Sequence, residues 1–260
     1  MIEGTACRLS PLPGLIHSGK YIGYSHTDWV FSVAFSPKRN QLASASHDKT
    51  VCIWNVTTGE PVQTPVKTLK GHAHWFNSVA FSSDGNQLAS ASSDHTVWIW
   101  NAVTGVFLQK LEGHTDVVLS TNFSPDGKLL ASASYDLTIC IWDVGKGRIL
   151  QRLKGHEQWV MAVKFSPYGY QLASASGDQT ICIWDVESGA SLRLQGHTSP
   201  VWSVAYSPDG HWLASGSSDQ TMCIWHATTG KSLKKTGGTQ EHHQFTFTLT
   251  RWLYSGLSLI

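Results

Sequence analysis

Histidine, serine and aspartate, the side chains of a nucleophilic relay, recur together five times along this 260-residue chain. The histidines are His26, His72, His114, His156 and His197, and the aspartates are Asp48, Asp94, Asp136, Asp178 and Asp219. Four residues before each aspartate stands a serine: Ser44, Ser90, Ser132, Ser174 and Ser215. A tryptophan follows each histidine by 28 residues, at Trp54, Trp100, Trp142, Trp184 and Trp225. One such set invites an acyl-transfer mechanism, in which a carboxylate orients the imidazole that activates a hydroxyl. Five sets in one register argue for a structural part instead, because a relay is defined by geometry in a single cleft and not by composition.

The sets mark internal repeats that start near residues 26, 72, 114, 156 and 197, with periods of 46, 42, 42 and 41 residues. Within a copy, the apolar run Val201-Trp202-Ser203-Val204-Ala205-Tyr206 after the histidine reads as an inner, largely buried strand. Ser-Pro-Asp-Gly at 124–127 and 207–210 supplies a turn, proline fixing φ and glycine accepting positive φ. Leu-Ala-Ser-Ala-Ser is a strand of small residues that lets a neighbouring layer come close, and an Asp-x-Thr turn follows it. In Thr138-Ile139-Cys140-Ile141-Trp142 the alternation puts Ile139 and Ile141 on one face and Cys140 and Trp142 on the other. A Thr-Gly or Ser-Gly turn then leads to a short outer strand such as residues 147–153.

Gly-His is intact at 71–72, 113–114, 155–156 and 196–197, with Ser25-His26 as the altered pair. Trp-Asp is intact at Trp142-Asp143 and Trp184-Asp185, while Asn55, Asn101 and His226 stand in the other copies. A period of roughly 40–45 residues bounded by these dipeptides is the mark of a four-stranded propeller blade. Over about residues 18–236 the chain resembles the WD-repeat family. The resemblance implies an all-β WD-repeat β-propeller with five complete four-stranded blades plus an incomplete sixth built from both termini. It also implies that His, Ser, Asp and the Trp indole form a hydrogen-bonded chain inside each blade, which suits buried polar groups that need partners. The near-identical Gln-Leu-Ala-Ser-Ala-Ser runs at Gln41, Gln87 and Gln171 are similar to the repeat arrays of fungal and bacterial NTPase-associated WD-repeat proteins, although no NTPase domain is present.

The domain reading is an N-terminal tail, 1–17, followed by a single propeller, 18–260, whose segment 237–260 is degenerate. Ser18 to Ile22 aligns with the turn into an outer strand at Gly230-Lys231-Ser232, and Trp252-Leu-Tyr-Ser-Gly256 with Trp212-Leu-Ala-Ser-Gly216. Both ends together supply the expected sixth blade, which hides strand edges that otherwise invite pairing. The insertion between Trp54 and His72, bracketed by Pro61 and Pro65, reads as a surface loop.

Several function classes are disfavoured. Formal net charge is +1, from 19 Lys and Arg against 18 Asp and Glu, so there is no broad basic field for nucleic acid or anionic lipid. Cys52, Cys140, Cys182 and Cys223 occupy equivalent places in different copies, too far apart to pair, and fit a reducing compartment; Cys7 stands in the tail. No metal-spaced cluster occurs, and His242-His243 reads as a solvated pair, so no metal and no cofactor are expected. Gly14 to Lys20 copies the start of a phosphate loop but meets Tyr21 where a hydroxyl for Mg²⁺ belongs. No stretch reaches the roughly 18 apolar residues of a membrane span, and the start lacks a secretion signal, so a cytoplasmic location is expected.

Function then rests on what varies between copies. Three positions per copy are expected at the top rim and central funnel: those three and five after the histidine and the one before the turn aspartate. They give Trp29, Phe31, His47, Trp75, Asn77, Tyr135, Trp159, Met161 and Trp202 as candidate partner-binding residues. Aromatic residues and Met gathered on one face mark a protein-binding surface, although some strand-one aromatics pack as core. The expected activity is a non-catalytic scaffold or recognition module that binds other proteins through its top face, within a multiprotein assembly. An adaptor subunit of the mitochondrial-division or ubiquitin-ligase type is the alternative. An enzyme or small-molecule binder using the central channel is disfavoured, since the rim set holds no carboxylate and one His.

Overall fold

The period-two alternation of each copy builds a four-stranded antiparallel meander, and the computed structural model contains five of them. It describes residues 26–56 and 65–237, with strands, turns and bends and no helix among them. Blade one holds β1 (Val30–Phe35), β2 (Gln41–Ser46), β3 (Val51–Asn55) and β4 (Lys67–Leu69). Blade two holds β5 (Phe76–Phe81), β6 (Gln87–Ser92), β7 (Val97–Asn101) and β8 (Phe107–Leu111). Blade three holds β9 (Val118–Phe123), β10 (Leu129–Ser134), β11 (Thr138–Asp143) and β12 (Arg148–Lys154). Blade four holds β13 (Val160–Phe165), β14 (Gln171–Ser176), β15 (Ile181–Asp185) and β16 (Ser191–Leu194). Blade five holds β17 (Val201–Tyr206), β18 (Trp212–Ser217), β19 (Thr221–His226) and β20 (Ser232–Gly237). The tail with Cys7, the phosphate-loop look-alike, the two halves of the expected sixth blade, His242-His243 and most of the insertion near Pro61 lie outside the described residues.

The core sits between blades. On β11, Cys140 and Trp142 pack toward blade two with Ile99 and Leu111, whereas Ile139 and Ile141 pack toward blade four with Val163 and Leu172. Two further clusters join blades one to two and four to five in the same way. The small second strand makes this possible: Ala43, Ala89, Ala131 and Ala173 have no exposed surface, and larger side chains there would push the sheets apart. The glycine before the histidine serves the same end, since a Cβ at Gly155 or Gly196 would sit 3.0 Å from the ring of Trp184 or Trp225.

First strands pack side by side from β1 through β5, β9 and β13 to β17. A hydroxyl ties three of the joints: Ser32, Ser78 and Ser120 Oγ accept the amides of Val79, Thr121 and Val163 on the next blade. Among the described residues, β17 does not pack against β1 in this way. Val33 and Phe35 of blade one are 54% and 70% exposed, where Val163 and Phe165 of blade four are buried.

Candidate functional site

Both candidate chemistries lie at the end of each blade that carries the Asp-x-Thr turn. In blade three the Trp142 indole N–H donates to Ser132 Oγ (2.7 Å), and Ser132 Oγ meets His114 Nε2 at 2.7 Å. His114 Nδ1 meets Asp136 Oδ2 at 2.8 Å. One arrangement of protons satisfies the whole chain: indole to hydroxyl, hydroxyl to imidazole, imidazole to carboxylate. The other four blades repeat it, with Ser–His distances of 2.6 to 3.1 Å and His–Asp distances of 2.7 to 2.9 Å.

Each turn carboxylate is saturated. Asp136 also accepts the Thr138 hydroxyl (2.6 Å) and the backbone amides of Thr138 and Thr115. Burial pushes the Asp136 pKa up, but the hydrogen bonds from His114, Thr138 and Thr115 outweigh it and hold the carboxyl well below the usual range. Asp94, Asp178 and Asp219 show the same balance. The turn puts its middle residue in left-handed backbone, at Lys49, His95, Leu137, Gln179 and Gln220 with φ of 62 to 71°.

This geometry matches the contacts of a serine hydrolase relay and lacks its access. Ser132 has no exposed surface, and neither have Ser90, Ser174 and Ser215. A hydroxyl that no substrate can reach, already accepting an indole N–H, is a packing element. The cysteines behind it are equally closed, since burial pushes the thiol of Cys140 up to about 12 and that of Cys182 up to about 11. They stay protonated and are poor nucleophiles.

The rim lies next to the tetrads. In every blade the carbonyl three residues after the histidine accepts the amide just before the turn aspartate, as Trp29 does from His47 and Trp159 from Gly177. The residue two further on is passed over in strand pairing: β1 pairs Val30 with Ser46 and then Ser32 with Ala45, leaving Phe31 out. The same slip skips Asn77, Leu119, Met161 and Trp202. A bulge of this kind turns a side chain away from the regular face of the sheet.

Side-chain packing then divides the rim set. Trp29, Phe31, Trp75 and Trp202 are 40 to 45% exposed. His47, Asn77, Tyr135 and Trp159 are half-buried. Met161, expected with them, is only 8% exposed and packs as core, the alternative that strand-one apolar residues always carry. His47 lies between Phe31 and Trp75, stacked on each with ring centroids 3.9 and 4.1 Å apart. Tyr135 stacks on Trp159 of the next blade at 4.7 Å. Asn77 donates to Ser93 Oγ and to the Val118 carbonyl, and the Trp202 indole donates to Ser218 Oγ. Burial lowers the His47 pKa from the ordinary imidazole value.

Comparison with known families decides what this repeated architecture is. The model described as "WD domain, G-beta repeat" matches residues 19–55, 63–101, 105–143, 147–185 and 190–226. The chain belongs to the WD-repeat family. Each of the last four matched repeats starts one strand early: 147–185 spans β12 to β15, so it supplies the outer strand of blade three and three strands of blade four.

Among curated proteins, the chain is similar to the ribosome biogenesis protein BOP1 homologs of Drosophila virilis and Drosophila melanogaster. Each is 46% identical over 56 residues, which is 22% of this chain and 7% of those proteins.

A further layer of the WD-repeat site was not visible in the sequence. The strand-four residues facing Cys140, Cys182 and Cys223 are Arg152, Arg193 and Lys235. Each reaches back to the carbonyl of the glycine before the blade's histidine, at Gly113, Gly155 and Gly196. Each also lies within 3.4 to 3.8 Å of the turn aspartate, at Asp136, Asp178 and Asp219. The signal is a cation on the outer strand, which looks like ordinary surface until strand register sets it opposite the cysteine.

Proposed function

We propose that this WD-repeat chain is a protein-recognition scaffold whose partner docks on the strand-one rim. One observation carries the reading: Trp29, Phe31, Trp75 and Trp202 are held at equivalent bulged or rim positions of several blades and remain 40 to 45% exposed. Exposed aromatics concentrated on one face are the composition of interface hot spots; stacking fixes Trp29, Phe31 and Trp75, and a hydrogen bond to Ser218 fixes Trp202, before binding, which cuts the ordering cost. The buried serines and protonated thiols support a role without catalysis. The name of the matching relatives, ribosome biogenesis proteins, supports an adaptor placed within a larger assembly.

Affinity capture with the intact chain, beside Trp29→Ala and Trp202→Ala, tests the proposal. Loss of the same bound protein from both variants, with unchanged circular dichroism and melting, is the expected result. Retention by both overturns the rim assignment.

A further inference from the structure

Blades one and two differ from the rest in charge as well as in aromatic content. In blades three to five the turn aspartate is answered by Arg152, Arg193 or Lys235. The corresponding strand-four residue of blade one is Thr68, facing Cys52. In blade two it is Lys110, whose ammonium is taken by Glu112 at 2.5 Å. Among the described residues, Asp48 and Asp94 therefore pair with their histidines and with no lysine or arginine. Asp28 adds a third carboxylate beside Trp29, whose amide it accepts at 2.7 Å. Lys49 in the turn, Lys70 two residues before His72 and Lys110 also lie at this end of the two blades, the last held by Glu112.

Over the same two blades lies the longest aromatic run of the rim. Trp29, Phe31, His47, Trp75 and His74 are linked ring to ring across the blade boundary, at centroid distances of 3.9 to 6.3 Å. Aromatic faces carry partial negative charge, and a cation within about 6 Å of a ring centroid is attracted to them. Nearby carboxylates strengthen that preference and disfavour an anionic occupant.

We infer that the blade one and two rim receives a cationic segment of the partner, an arginine or lysine side chain lying over Trp29 or Trp75 within reach of Asp28. The inference rests on the rim reading above and adds the chemistry of the occupant. Arginine suits the place better than lysine, because its planar guanidinium stacks on a ring while donating to a carboxylate.

Three capped peptides of equal length test it, alike except for two central residues that are arginine, norleucine or glutamate. Binding to the intact chain is followed by tryptophan fluorescence and by calorimetry. The arginine peptide is expected to bind, to weaken as salt is raised, and to lose about fivefold in affinity on Trp75→Ala. Asp28→Asn, which keeps the acceptor for the Trp29 amide, is expected to weaken it too, while Tyr168→Ala, in the exposed turn between β13 and β14 of blade four, leaves it unchanged.

Equal binding of the norleucine peptide overturns the cationic assignment, as does preference for glutamate or no binding by the arginine peptide. Arginine binding indifferent to both Trp75→Ala and Asp28→Asn overturns the location. None of these outcomes touches the rim reading itself, which stands or falls on partner capture by the Trp29→Ala and Trp202→Ala variants.

Discussion

At the scale of single residues, the tetrad is a device for hiding polar atoms, and its energetics can be tested one atom at a time. Ser132→Ala removes the acceptor of the Trp142 indole and the partner of His114 Nε2 together. Leaving buried groups unpaired costs about 1–3 kcal/mol, and chemical denaturation should show a loss of that size. Trp142→Ala removes a buried ring as well and should cost about 3–5 kcal/mol in the same experiment. The turn carboxylates set the acid limit. Their folded pKa values are depressed below the unfolded value of about 4, so they add stability above that pH and lose it as pH falls toward the folded values. Denaturation midpoints measured downward from about pH 5 should fall steadily, and Asp136→Asn should both lower the plateau and flatten the slope.

At the scale of strands and blades, the sequence was legible wherever one copy must solve the same problem as the next. Histidine, serine, aspartate and tryptophan keep their spacing because four strands must bring the same four groups together, and the Ile139 and Cys140 faces follow from the two-residue period. What it hid comes from neighbours outside the copy. His47 is stacked by Trp75 of the next blade, Arg152 meets Asp136 only through strand register, and the bulge that turns Phe31 out leaves no residue type as its sign. Met161 shows the limit of pattern: its place matches Trp202, but its packing does not. Burial differences between equivalent strands give a prediction at this scale. Val163→Ala, in the blade three to four core, should cost about 1–3 kcal/mol, whereas Val33→Ala, at a position 54% exposed in the equivalent strand of blade one, should cost less than about 0.5 kcal/mol. Parallel melts of the two variants decide it.

At the scale of the whole molecule, the four WD repeats from residue 63 to 226 each contribute strands to two adjacent blades, so the array is stitched together by the chain as well as by packing. That scaffold leaves the rim free to vary in chemistry: aromatic and acidic over blade one and the near edge of blade two, polar where Asn77 of blade two meets Ser93, and aromatic at Tyr135 and Trp159. On the proposed reading, recognition and stability rest on different residues, and rim substitutions are expected to change binding with little change in melting. The claim beneath this division is that tetrad indoles are sealed within the blades while rim indoles face water. Hydrogen exchange of the indole N–H groups, resolved by NMR, measures it directly. Trp100, Trp142, Trp184 and Trp225 should exchange only on global unfolding, and Trp29 and Trp75 at rates near those of exposed indoles. Fast exchange at the first four, or strong protection at the last two, would contradict the account.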